Sequence, residues 1–230
     1  MNTIAYGFSL FISIGLPILI SIFLIIKSRT YFKPIAIGVL TFLIFQVFTR
    51  VYVLQEFLPT QVWYILFTYQ YPTLYIFLLS FTAGLFEECG RFIMMKLFIK
   101  KANIKTAIAF GIGHGGIEAI LFVGVALIMT NPILIDTQSL FMSGLERLNA
   151  MIIHVTFSVL VYKAVYHAKR GNVLIAILAH TLVNFISVYL MMNGVNLWIV
   201  EGILIVMAMI GLAIVHLNWR MENETFNLDN

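Results

Sequence analysis

The chain has 230 residues, 61% of them hydrophobic and only 10% charged, with a formal net charge of +4 and a mean hydropathy of +1.00. Soluble domains carry about 25% charged residues, so this composition excludes a soluble globular protein and a disordered chain. The lone Cys89 cannot form an intrachain bridge, which excludes a disulfide scaffold. The basic excess sits in loops between apolar runs, where it orients membrane spans, so a lipid bilayer and not nucleic acid is the expected partner.

Seven apolar segments follow in chain order: residues 4–26, 35–54, 73–98, 106–129, 146–167, 172–193 and 196–219. Each is long enough, as a helix, to cross ~30 Å of hydrocarbon. Open strands cannot survive in lipid, and the runs are continuous rather than the ~10-residue alternating segments of an outer-membrane barrel. The expected fold is therefore all-α, a polytopic helical bundle of about seven spans. Only Asn2 and Thr3 lie between Met1 and the first segment, and its basic residues follow it, so it reads as a retained span and not a signal peptide. Lys27, Arg29 and Lys33 follow span one. Lys96, Lys100, Lys101 and Lys105 follow span three. Lys163, Lys169 and Arg170 follow span five, and Arg220 follows span seven. These are eleven of the 14 basic residues, and all fall on one side. The N-terminus is expected outside and the C-terminus inside.

Between spans two and three, Pro59 and Pro72 bracket Trp63, Tyr64, Phe67, Tyr69 and Tyr71. These read as an aromatic belt at the outer interface, with a short re-entrant or interfacial helix as the alternative. Residues 1–219 are expected to form one integral-membrane domain, with spans 73–193 as its functional core. Residues 220–230 form a short acidic cytoplasmic tail, expected to be disordered.

Ionisable groups inside spans cost about 2.5–3.5 kcal/mol each on the insertion scale, so those present need a reason. Span three carries Glu87, Glu88 and Arg91. Span four carries His114 and Glu118, span five His154, and span six His180 with Asn184 one turn on. At ~1.5 Å per residue these fall in one layer under ~10 Å thick, biased inward, which predicts a polar cavity between spans three to six opening to the inner side. Arg50 and Glu201 lie nearer the outer ends and are expected to snorkel or pair at the interface. The i,i+4 spacing puts Glu87 with Arg91, His114 with Glu118, and His180 with Asn184. Arg91 is expected to support the fold by pairing with Glu88 and Glu87.

Three Glu and one Arg leave −2 in this layer with neutral histidines, which does not persist unaided in hydrocarbon. Either protons enter or a divalent cation sits there. His114, His154 and His180 with Glu118 make an ordinary Zn²⁺ first shell. Equally, a Glu beside a His activates water while a second His and an Asn amide hold an oxyanion. Cys89, His167 and His216 are given no role.

The order Glu87-Glu88-Cys89-Gly90-Arg91, then Phe110 with His114, then His180 with Asn184 resembles the CPBP superfamily: type II CAAX endopeptidases, bacteriocin-immunity relatives and PrsW-like proteases. His154 and Glu118 make the chain look most like the YhfC-like membrane peptidases. The family's Glu-Glu-x₃-Arg is one residue shorter here. The resemblance implies an intramembrane endopeptidase acting on a membrane-associated protein or peptide in a bacterial cell membrane. It implies Glu87 as the water-activating glutamate with His114 as its partner, and His180 with Asn184 on the oxyanion. Glu88, Arg91, Glu118 and His154 are left as supporting residues, and many relatives carry a metalloprotease label. A noncatalytic scaffold or immunity protein, or a proton-coupled carrier, are the competing readings.

Overall fold

The computed structural model describes residues 2–131 and 134–228. Eight helices account for nearly all of them. We number α1 Thr3–Lys27, α2 Arg29–Thr60, α3 Val62–Gln70, α4 Pro72–Phe98, α5 Ile104–Met129, α6 Thr137–Tyr166, α7 Gly171–Met192 and α8 Leu197–Leu228. Six of these are long and apolar enough to cross a membrane. The remaining long one, α4, has 27 residues, or ~40 Å of rise. It misses that criterion because it carries the buried Glu87, Glu88 and Arg91. The chain is an all-α integral membrane bundle.

Breaks between helices follow local chemistry. Ser28 is extended and its hydroxyl accepts from Thr30 N, ending α1 and starting α2. Pro72 opens α4, where its missing N–H costs nothing. Asn103 and Thr106 cap α5 reciprocally, and Asp136 caps α6 through Ser139 N at 2.9 Å. Gly194, at φ +70°, turns α7 into α8.

Helix α6 is the most enclosed span, with 61% of its apolar stretch buried against 22% for α1, α2 and α7. It packs on α1, α4, α5, α7 and α8. Helix α5 lies between α6 and α2. At Gly113 a Cβ would collide with the Ile35 carbonyl, and at Gly38 with that of Phe110, so the α2 and α5 backbones touch. Close approach through small residues is how membrane helices gain packing that lipid does not supply. The inner half is filled by Met95, Phe110, Val161, Tyr162 and their neighbours.

Two expectations are revised. Residues 57–72 include a short helix, α3, whose Trp63 and Tyr69 are exposed, so the segment is helical and not only a loop of aromatic residues. The last span does not end near 219; α8 continues to Leu228. Glu222 anchors it, accepting from Ile104 N at 2.9 Å and from the Tyr162 hydroxyl at 3.0 Å. A carboxylate on a helix N-terminus satisfies an otherwise orphaned N–H. Residues 229 and 230 lie outside the described residues.

Candidate active site and metal centre

Glu87 is the hub. It lies on α4 with 2% of its surface exposed. Its Oε2 is 2.9 Å from His114 Nε2, on α5. Its Oε1 is 3.9 Å from His180 Nε2, on α7, and its Oε2 is 3.9 Å from His154 Nδ1, on α6. Three helices thus bring imidazoles to a carboxylate carried by a fourth. The α4–α7 contact permits this because a Cβ at Gly84 would stand 2.8 Å from the Ile177 carbonyl, one turn from His180.

Two further carboxylates orient the histidines from behind. Glu88 Oε1 is 2.8 Å from His180 Nδ1. Glu118 Oε2 is 2.5 Å from His154 Nε2. Arg91 is fully buried and fixes the tautomer of His154. Its guanidinium only donates, and Nη2 lies 2.6 Å from His154 Nδ1, so that nitrogen accepts and the ring proton sits on Nε2, the nitrogen near Glu118. Arg91 also donates to the His154 carbonyl at 2.9 Å and sits 3.6 Å from both Glu87 and Glu88. It stitches α4 to α6.

Asn184, the other expected site residue, is half-buried and lines the same cavity one turn beyond His180. Three further groups join the site. Gln46 on α2 is 5% exposed and donates through Nε2 to Glu87 Oε1 at 3.0 Å. Its amide orientation is set by Arg50, whose Nη1 donates to Gln46 Oε1 at 3.1 Å. Arg147 pairs with Glu118 at 2.9 Å and with Glu146. Arg50 and Glu201, expected to snorkel or pair at the interface, are paired within the bundle. Arg50 bonds Gln46, Thr82 and the Leu79 carbonyl, and Glu201 is 4% exposed and accepts from Asn149 at 2.5 Å. Both line the cavity. Leu43–Val51 is π-helical, a widening that often marks functional sites, and it carries both Gln46 and Arg50.

The cavity holds about 580 Å³. It does not open inward. Its lining comes from residues 46–50 of α2, 79–87 of α4, 118–122 of α5, 139–157 of α6, 180–191 of α7 and 197–204 of α8. These are the portions of each helix away from the basic loops, while the half nearer those loops holds the main buried apolar cluster. The depth of the polar layer located the floor, but not which side of it is hollow.

The residues present suit a divalent cation. Glu87, His114 and His154 offer ligand atoms within 4.8 Å of one another, and carboxylate and imidazole are Zn²⁺ ligands. Glu118 behind His154 and Glu88 behind His180 are the carboxylate–histidine arrangement that orients metal ligands. Buried His114 Nδ1 has no partner among the described residues. Of the expected ligand set, His114 and His154 belong to this cluster with Glu87, whereas Glu118 lies against His154 and His180 against Glu88. Arg91 holds the His154 Nδ1 lone pair and competes with a cation for it.

Residues 12–139 and 133–204 match the family described as YhfC intramembrane metalloprotease. The chain is 31% identical over 204 residues, covering 74% of itself and 77% of its relative, to a Bacillus subtilis (strain 168) protein called "Uncharacterized membrane protein YhfC". No solved structure matches.

Proposed function

We propose that this chain, which belongs to the YhfC intramembrane metalloprotease family, hydrolyses peptide bonds of a membrane-associated protein or peptide in the bacterial cell membrane. The observation that carries this reading is the Glu87 carboxylate, buried at the floor of an open cavity and faced by three imidazoles. The resemblance to the wider CPBP superfamily supports the same assignment of roles.

Glu87 is the proton acceptor. Gln46 holds Oε1 and His114 holds Oε2, which orients the carboxylate and leaves lone pairs for a water proton. As the water oxygen bonds to the substrate carbonyl carbon, Glu87 takes its proton. Glu87 then returns that proton to the leaving amine nitrogen. Negative charge develops on the carbonyl oxygen, and the Asn184 amide in the cavity wall is a donor for it.

His180 distinguishes two versions of the chemistry. Its Nδ1 is engaged by Glu88. In the neutral ring Nε2 is a lone pair facing Glu87, suited to a metal; in the protonated ring it is an N–H, suited to an oxyanion. A divalent cation held by Glu87, His114 and His154 would polarise the carbonyl and acidify a bound water.

The test is purified protein in proteoliposomes with a library of membrane-protein peptides, read by mass spectrometry. New termini are expected with wild type and absent with Glu87→Gln. A library left intact by folded wild-type protein would refute the reading.

A further inference from the structure

Resting on the peptidase reading for the nature of the substrate, but not for the route, we infer that the site is fed from the outer face, by an extended polypeptide segment presented on the side opposite the basic loops. The hollow and the charges lie at opposite ends of the bundle. Ser139, Met191 and Leu197 ring the cavity at the outer ends of α6, α7 and α8, and Glu87, His154 and His180 form its floor. Between that floor and the face bearing Lys100, Lys101, Lys169 and Arg170, the buried apolar cluster includes Met95, Phe110 and Tyr162 at 1%, 0% and 3% exposure.

The dimensions select the form of the substrate. From Met191 to His180 is eleven residues of one helix, ~16 Å of rise. Inside a substrate helix the scissile carbonyl already accepts from the N–H four residues on, and the backbone is wrapped by side chains ~10–12 Å across. The cavity holds about 580 Å³. A single extended strand at ~3.3 Å per residue covers the same depth with about five residues. To present that carbonyl to Glu87 a transmembrane helix must unwind at its outer end, whereas an extracytoplasmic tail or loop enters already extended. The wall suits such a strand: Ser143, Ser187 and Asn184 offer polar contacts for an unpaired backbone among apolar Phe122, Val183 and Leu204.

The route is tested without reference to activity. In a Cys89→Ser background, Ser187→Cys and Lys101→Cys are each expressed in intact cells. Both are treated with the small, impermeant (2-sulfonatoethyl) methanethiosulfonate, then solubilised and probed for remaining thiol. Ser187→Cys is expected to be blocked at least tenfold faster than Lys101→Cys, and Lys101→Cys only after permeabilisation. Blocking of Ser187→Cys only after permeabilisation, or from neither side, would overturn the outer route. Rapid blocking of Lys101→Cys in intact cells would overturn it by reversing the orientation. A peptide library left uncleaved alongside the expected labelling would overturn the peptidase reading and leave the route standing.

Discussion

Arg91 gives the sharpest stability prediction. Its side chain is fully buried, donates to the His154 carbonyl and ring, and lies 3.6 Å from both Glu87 and Glu88. Arg91→Ala removes the cation that, among the described residues, faces both carboxylates and leaves the His154 carbonyl without that donor. Breaking a buried pair from one side costs about 3–5 kcal/mol, because the remaining charge is stranded. For a chain of this size each kcal/mol moves the melting temperature by ~2–4 °C, so the expected loss is roughly 6–20 °C in detergent thermal unfolding. Arg91→Lys keeps the charge but not the fork that serves Glu88, Glu87 and His154 at once, so it should recover only part of the loss. A melting temperature for Arg91→Ala within ~2 °C of wild type would show that Arg91 does not hold α4 to α6.

Three further outcomes follow from the same geometry. Gln46→Leu keeps the volume but removes the donor on Glu87 Oε1 and the acceptor for Arg50; kcat should fall ~10–100-fold with KM unchanged, one hydrogen bond to a charged group contributing about 1.5–3 kcal/mol, and an unaltered kcat would remove Gln46 from the site. Gly113→Val drives a side chain into the Ile35 carbonyl, so the protein should fail to accumulate in membranes, whereas normal accumulation would contradict the α2–α5 contact. Elemental analysis of purified wild type should find one divalent cation per chain and His154→Ala should have none; full activity in chelator with no bound metal would assign the hydrolysis to Glu87, His180 and Asn184 alone.

The constellation was legible because hydrocarbon penalises ionisable groups. Glu87, Glu88, Arg91, His114, His154 and His180 stand out against apolar neighbours, and one rise per residue brings them to one depth. Gln46 escaped the same test because it carries no charge, and the π-helical stretch Leu43–Val51 changes the face that α2 presents. Arg50 and Glu201 were assigned to the interface by depth alone, but depth does not say whether a cavity reaches a residue. The Arg147–Glu118 pair joins two helices and has no local spacing to reveal it. Gly111, Gly113, Gly115 and Gly116 were visible as a cluster around His114 and signal close packing on several sides of α5, a signal that periodicity of charge does not capture. The opening direction was misjudged because a polar layer marks a floor without saying which half of the bundle is filled.

The central claim is that the Glu87 carboxylate activates water. Glu87→Gln is nearly isosteric and retains an oxygen able to accept from Gln46 or His114, so it tests the carboxylate apart from the fold, and equal metal content in the two proteins separates its role as base from its place among the candidate ligands. The decisive measurement is kcat/KM for the best library peptide in proteoliposomes, with matched melting temperatures for the two proteins. A loss of at least ~100-fold is expected, the lower range for removal of a general base. Cleavage by Glu87→Gln within a few-fold of wild type would contradict the account.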